Sequence, residues 1–168
     1  MIKSKMGMTD EMNLGVGKGF NSGMQLTGNM KAELFDENGI LKDTREVKNT
    51  DTTLAHAMVA NRISDTVTVA IVNWMELGTG SGQGASDTVL DAYIAGSRTV
   101  LDSSTAAAAV LTMVCTFPAG TGTGAVTEAG TFNVVTQNTT DLITYASFAV
   151  INKGAGDSLV VTWTLTFS

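Results

Sequence analysis

From Asp157 to Ser168 the chain alternates without a break. Leu159, Val161, Trp163, Leu165 and Phe167 share one parity; Val160, Thr162, Thr164, Thr166 and Ser168 share the other. Successive side chains of a strand point to opposite faces, so the pattern predicts a strand with one buried and one wetted side. Threonine is β-branched and suits an extended backbone that meets water. The same alternation recurs upstream. Met30, Ala32 and Leu34 alternate with Lys31 and Glu33. Asp36-Glu37-Asn38-Gly39 then reads as a turn whose Asn-Gly pair supplies the positive φ of a tight hairpin, with a return strand over Ile40 to Lys48.

Val67 to Leu77 reads as a strand with Val69, Ile71, Met75 and Leu77 on one face and Trp74 on the other. A tryptophan opposite a core face points to a strand covered on both sides or to a subunit interface. Arg98 to Leu101 starts another strand. Ala107, Ala109, Leu111, Met113, Cys115 and Phe117 alternate along a single strand that ends at Pro118, too β-branched to be helical despite its alanines. Val126 to Val134 holds a further strand. Leu142 to Ile151 is apolar on both parities and is expected in the middle of a sheet. Gly78 to Ser86 and Gly120 to Ala125 read as flexible loops, and Asp87 to Ala95 as a short helix or an irregular crossing.

One helix is expected, over Asn49 to Ile63. Asn49, Thr50 and Asp51 offer N-cap oxygens, and Leu54, Met58 and Ile63 make its apolar stripe with Ala55 and Val59 beside them. His56 points away from that stripe. Turn signals between short alternating runs therefore predict a mainly β fold: a jelly-roll-like antiparallel β-sandwich over residues 29–168 with one short α-helix. Residues 1–28 keep neither period. Six glycines sit there among Met6, Met8, Met12, Leu14, Val16, Phe20, Met24 and Leu26. Methionine is unbranched and adapts to irregular surfaces, so this stretch reads as an extended N-terminal arm that docks on a neighbouring subunit. Met6, Met8, Met12, Leu14, Val16, Phe20, Met24 and Trp74 are the candidate partner-interface residues.

Bulk properties narrow the partners. At 168 residues the chain suits one domain, and its single cysteine allows no internal disulfide. A net charge of −6 argues against nucleic acid and against an anionic membrane surface as partner. From Ser103 onward only Glu128, Asp141, Lys153 and Asp157 are charged, which suits a surface that meets other subunits. No secretory signal and no apolar run of membrane-spanning length is seen, so synthesis and assembly are expected in a cytoplasm.

Candidate chemistry adds little. The glycine-rich GVGKGF, GTGSGQG and GTGTGA lack the Gly-Lys-Ser/Thr of a phosphate loop. Gly120, Gly122 and Ala125 fit a loose dinucleotide fingerprint, but between strands, without the helix whose N-terminus would face a pyrophosphate. His56 and Cys115 make a poor nucleophile–base pair, and Cys115 alternates with core residues. Zinc and calcium ligand patterns are missing. Glu76, Asp87, Asp91 and Glu128 contain no spacing that singles out a hydrolytic pair. No catalytic residue, cofactor or metal ligand is assigned, and an enzyme is not expected.

Three segments, ELGTGSGQGASDTVLDAYIAGSR (Glu76 to Arg98), TFPAGTGTGAVTEAGTFN (Thr116 to Asn133) and FAVINKGAGDSLVVTWTLTFS (Phe148 to Ser168), stand in an order that resembles a group of tailed-bacteriophage virion structural proteins. The hairpin and helix after Met30 resemble the start of that module; residues 1–28 are not part of it. Members are head decoration (cement), tail-fibre-like or minor structural proteins. The GDSL string is no sign of the hydrolases that share it, since Ser158 opens the last strand and no acid–histidine partner follows. The resemblance implies a β-sandwich building block of the virion, without catalytic residues. The expectation is a capsid decoration protein on the capsid outer surface, bound to the major capsid protein and to itself as a homotrimer. The alternative is a tail-fibre or baseplate module. A carbohydrate-binding sandwich using Trp74, Tyr93, Tyr145 or Trp163 as stacking platforms is a third, weaker reading.

Overall fold

The alternating segment at the C-terminus forms a ten-residue strand, Ser158–Phe167, in the middle of a five-stranded sheet. The computed structural model of the protein describes residues 25–64, 70–82 and 84–168. In chain order the elements are β1 (Leu26–Phe35), β2 (Leu41–Lys48), β3 (Thr50–Asp51), α1 (Thr53–Ser64), β4 (Trp74–Gly78), β5 (Thr99–Val100), β6 (Ser103–Ala107), β7 (Val110–Phe117), β8 (Gly124–Phe132), β9 (Leu142–Lys153) and β10 (Ser158–Phe167). Sheet A has the order β2-β1-β10-β7-β6 and sheet B the order β3-β9-β8-β4-β5. Every pairing in both is antiparallel. The protein is thus mainly β, two antiparallel sheets enclosing one core, with a single short helix among the described residues.

The period-two pattern sets the register. On the inner face of sheet A, Trp163 lies opposite Met30 on one side and Met113 on the other. All three are fully buried, and they meet Met75, Leu77 and Ile151 of sheet B in the same cluster. A one-residue slip of β10 would send this whole set to the outside, so the alternation itself fixes the pairing. The Trp163 indole N–H finds no protein acceptor; burial, not a hydrogen bond, holds this side chain. α1 closes one end between the sheets through buried Ala55, with Leu54 and Met58 packed on the core.

Several boundaries differ from expectation for local reasons. β1 begins at Leu26, so residues 26–28, expected to end the arm, belong to the sheet opposite Phe167, Thr166 and Leu165. The rest of the arm, with candidate residues Met6 to Met24, lies outside the described residues. In the β1–β2 turn only Gly39 takes positive φ, at 77°, and Asn38 does not. Instead the Asp36 carboxylate accepts the N–H groups of Asn38 and Ile40 at 2.9 and 2.8 Å. The helix cap is Thr52, whose hydroxyl accepts the Ala55 N–H at 3.2 Å, because Thr50 and Asp51 are taken up pairing with β9. The single strand expected from Ala107 to Phe117 is a hairpin. Ala108, at φ 50°, turns the chain between β6 and β7. The strand expected from Val67 is described only over Trp74–Gly78; Ile71 is 63% exposed.

Replacing Trp163 by Ala should cost about 3–5 kcal/mol, the usual range for an aromatic lost from a close-packed core, whereas Thr164→Ala on the other face should cost about 0.5 kcal/mol or less. Trp163→Phe should cost clearly less than Trp163→Ala, since it also removes an indole N–H that has no protein acceptor. Urea unfolding followed by far-ultraviolet circular dichroism measures all three.

Candidate functional site

Around β4 and the first half of β9, sheet B is buried on both faces; further along β9, Ala149, Val150 and Asn152 are exposed. Its outer face carries Trp74, Phe132, Leu142 and Tyr145, and the segment from Thr79 to Arg98 folds back over it with Leu90 inserted among them. The segment runs as an irregular crossing. It is pinned to β4 by the main-chain bond from Ile94 to Leu77 and closed on itself by that from Thr79 to Ala92, each 2.8 Å. Trp74 therefore packs half-buried against its own chain's cover: the strand is covered on both sides.

Two charged groups hold this cover. Glu128, fully buried on β8, accepts the N–H groups of Ala92 at 2.8 Å, Gly80 at 3.0 Å and Asp91 at 3.3 Å. Its carboxylate also explains two glycines of the loop read as flexible. A Cβ on Gly78 would fall 2.2 Å, and one on Gly80 2.8 Å, from the Glu128 Oε1. The second group is Arg98, its side chain only 3% exposed. Its Nη2 and Nε donate to Glu76 at 2.6 and 3.0 Å, and its Nη1 to Asp141 at 3.0 Å. Nη1 also donates to the carbonyls of Val134 and Thr136, and the guanidinium stacks on the Phe132 ring 3.7 Å from its centroid. Gln137 donates to the other oxygen of Glu76. Burial pushes the Glu76 carboxyl above the ordinary 4.5, while Arg98 and Gln137 pull it back.

Glu76 and Glu128 lie diagonally across the β4–β8 pair, since Glu76 faces Gly130 and Gly78 faces Glu128. Each is already engaged, Glu76 by a cation and an amide, Glu128 by three N–H groups. Asp91 and Asp87 accept loop N–H groups from Ser81 and Gly84. The four carboxylates thus serve as struts of the cover, a role not visible from their spacing. A third buried ion, Lys153, donates to the carbonyls of Pro118 and Asp157 at 2.9 and 2.6 Å, while Lys42 bridges to the Asp157 carboxylate at 2.7 Å. Cys115 is buried in the core and burial pushes its thiol up to about 12, so thiolate is scarce at neutral pH. His56 is exposed, on the rim of an apolar groove lined by Leu26, Val59, Ala60, Ile63 and Phe167. Among the described residues no three His, Cys, Asp or Glu side chains converge as metal ligands, and no helix is long and apolar enough to cross a membrane.

The outer face of sheet A differs in kind from that of sheet B. No described helix or strand packs on it. The register lays its side chains in rows: Lys48, Asn29, Thr164, Thr112 and Thr105 form one, Glu46, Lys31, Thr162, Val114 and Ser103 the next. Charge is confined to β2 and β1. Across β10, β7 and β6 the outward positions are threonine, valine, serine and alanine. The alternation of β10 announced one strand of this face; its extension over three strands emerges only from the pairing.

No family model, curated protein or solved structure matches the chain.

Arg98→Met should cost about 3–5 kcal/mol at pH 7, because it strands Glu76 and Asp141 as buried carboxylates. Without Arg98 the Glu76 pKa rises further above 4.5. A raised folded-state pKa gives stability below the unfolded value that is lost as pH climbs through the folded one, so the deficit should shrink toward pH 4. Denaturant midpoints across pH 4–8 check both the size and the slope. Asp157 behaves in the opposite sense. Lys42 chiefly holds its carboxyl below the ordinary 3.8, so its contribution is present above that value and lost as pH falls through the lower folded one. Lys42→Met should therefore flatten the loss of melting temperature on acidification below pH 4.

Proposed function

We propose that this chain is a contact-making virion structural protein, a decoration protein that binds the outer surface of a tailed-phage capsid shell. What carries the reading is the uncharged outer face of sheet A across β10, β7 and β6, in register and without a covering helix or strand among the described residues. Such a face suits apposition to another protein surface, where charged groups would be costly to desolvate. The chain's polar clusters, by contrast, are spent on holding its own loops. The ordered resemblance of Glu76–Arg98, Thr116–Asn133 and Phe148–Ser168 to phage structural modules supports a virion role, and for a single compact module with a weakly charged contact face the partner proposed is the major capsid protein. By mass action, a protein that binds the assembled shell and not its free subunits shifts the shell away from disassembly.

Thr164→Asp and Thr112→Asp, placed on this face, should lower co-sedimentation with DNA-free capsid shells by about tenfold or more while costing at most about 1 kcal/mol of stability, since both side chains are only half-buried. Binding equal to that of the unsubstituted chain would overturn the assignment of the face. Staining of purified virions separates head from tail: a decoration protein approaches the major capsid protein in amount, and a tail-fibre or baseplate module is a small fraction of it.

A further inference from the structure

Four strands end the two sheets, and three of these edges carry a recognised protection against pairing with other chains. β3 and β5 are two residues long. β2 reads LKDTREVK, rich in charge. It is also tied across to sheet B by Arg45, which donates to the carbonyls of Ala149 and Val150 at 3.1 and 3.0 Å. β6 has none of these devices. It reads SSTAA, with no charge, no proline and no bulge against β7, and residues 102–109 are all exposed.

The exposure reaches both faces of β6. Ser104 and Ala106 share the parity that, on β7, buries Met113, yet they are uncovered. Sheet B is narrower here. Its edge strand β5 lies against β7, with the Cys115 Sγ 3.5 Å from the Val100 carbonyl, and β6 projects beyond it. Beside this overhang stand two exposed apolar side chains, Val100 at 46% and Ile71 at 63%. Ile71 lies two residues before Asn73, whose carbonyl accepts the Leu101 N–H at 3.0 Å.

From this we infer that β6 is the seat of a second copy of the same chain, paired antiparallel with its own β6 about a two-fold axis at Thr105. Three points select this occupant. Antiparallel pairing of an edge with itself is self-complementary, so one strand supplies both halves of the contact. Each chain carries −6, and copies that approach through β6 meet where neither strand is charged. The register sets Ser103 opposite Ala107 and Ser104 opposite Ala106, small side chains that let the backbones close. It places the two flanking Asp102 carboxylates at opposite ends, about 20 Å apart at some 3.4 Å per residue. The paired sheets A then run on as ten strands, and the approach shields Val100 on each copy. This arrangement is independent of shell binding, and it differs from the three-fold association expected from the sequence.

Sedimentation equilibrium of the full chain from about 1 to 100 µM tests it, since pairing by mass action depends on concentration. The expected mass is twice the chain's 17.5 kDa. Thr105→Lys and Thr105→Asp each place like charges face to face across the axis and should weaken dimerisation about tenfold or more. Mixing the two variants should restore a heterodimer, which a folding defect in either could not do. Thr44→Lys on β2 should leave the dimer intact. A wild-type monomer over the whole range, a trimer, or a dimer indifferent to Thr105→Lys would each overturn the inference. Shell co-sedimentation keeps the two readings apart: a monomer that binds shells refutes the pairing alone, and a dimer that ignores shells refutes the decoration role alone.

Discussion

The outer layer of sheet B is held by two buried charges, the Glu128 carboxylate under its start and the Arg98 guanidinium at its end. Arg98 ends the crossing segment, and with its side chain almost wholly buried it ties β4 through Glu76 to the loop before β9 through Asp141. Taking these charges out of water is costly, and the attraction between them repays it only when the remaining donors and acceptors are also matched. Here they are. The guanidinium reaches two carbonyls and the Phe132 ring besides the carboxylates, and Gln137 engages the far oxygen of Glu76. The alternative, a helix laid over sheet B, would have only the short apolar run Val89, Leu90, Tyr93 and Ile94 to work with, in a segment opened by glycines 80, 82 and 84 and closed by Gly96. A loop cover buries few side chains of its own, Leu90 foremost, so it relies on polar pins where a helix would rely on packing.

This division explains what was legible in the sequence. Period-two alternation records which side of a strand is buried, so β10, β1 and the Met113–Cys115–Phe117 run of β7 could be read directly. Leu142 to Ile151, apolar on both parities and expected in the middle of a sheet, lies in β9 between β3 and β8, though its two-sided cover reaches only over Leu142–Ala146. Trp74 signalled the same for β4, and its cover came from within the chain. The candidate site was less legible. Arg98 meets partners 22 and 43 residues away, and nothing in local composition announces such pairings. Gly78 and Gly80 looked like flexible linkers because a glycine demanded by a neighbouring carboxylate and a glycine in a free loop are the same letter. Alanine carries no turn signal either. At Ala108 the hairpin is imposed by the β6–β7 ladder on a residue that seldom takes positive φ, and the run of alternating residues concealed the break.

The two sheets also differ in what their surfaces are free to do. In sheet B, both faces around β4, the second half of β8 and Leu142–Ala146, with the charged side chains that line them, are committed to internal contacts. In sheet A, the inner face is committed, and no described helix or strand covers the outer one. Threonine and valine resolve the conflict this creates. They keep the strands extended whether the outer face is wet or covered, and their short side chains lose little rotamer freedom when a partner arrives. Lysine or glutamate at the same positions would solubilise the face but would have to be dehydrated on contact. β2 and β1, which do carry such residues, mark where the uncharged face stops.

The edges follow the same logic one dimension lower. An unpaired strand offers main-chain donors and acceptors at fixed spacing, and these bind any compatible strand unless something interferes. Charge and the Arg45 tie interfere at β2; shortness interferes at β3 and β5. β6 is left with a solvent-facing ladder, small side chains and no charge, next to the end of the face that is itself uncharged. A random drift of composition would not align an open edge with an open face on the same three strands. The uncharged face and the uncharged edge are thus contiguous on β10, β7 and β6, while the buried charges of sheet B are gathered under its loops.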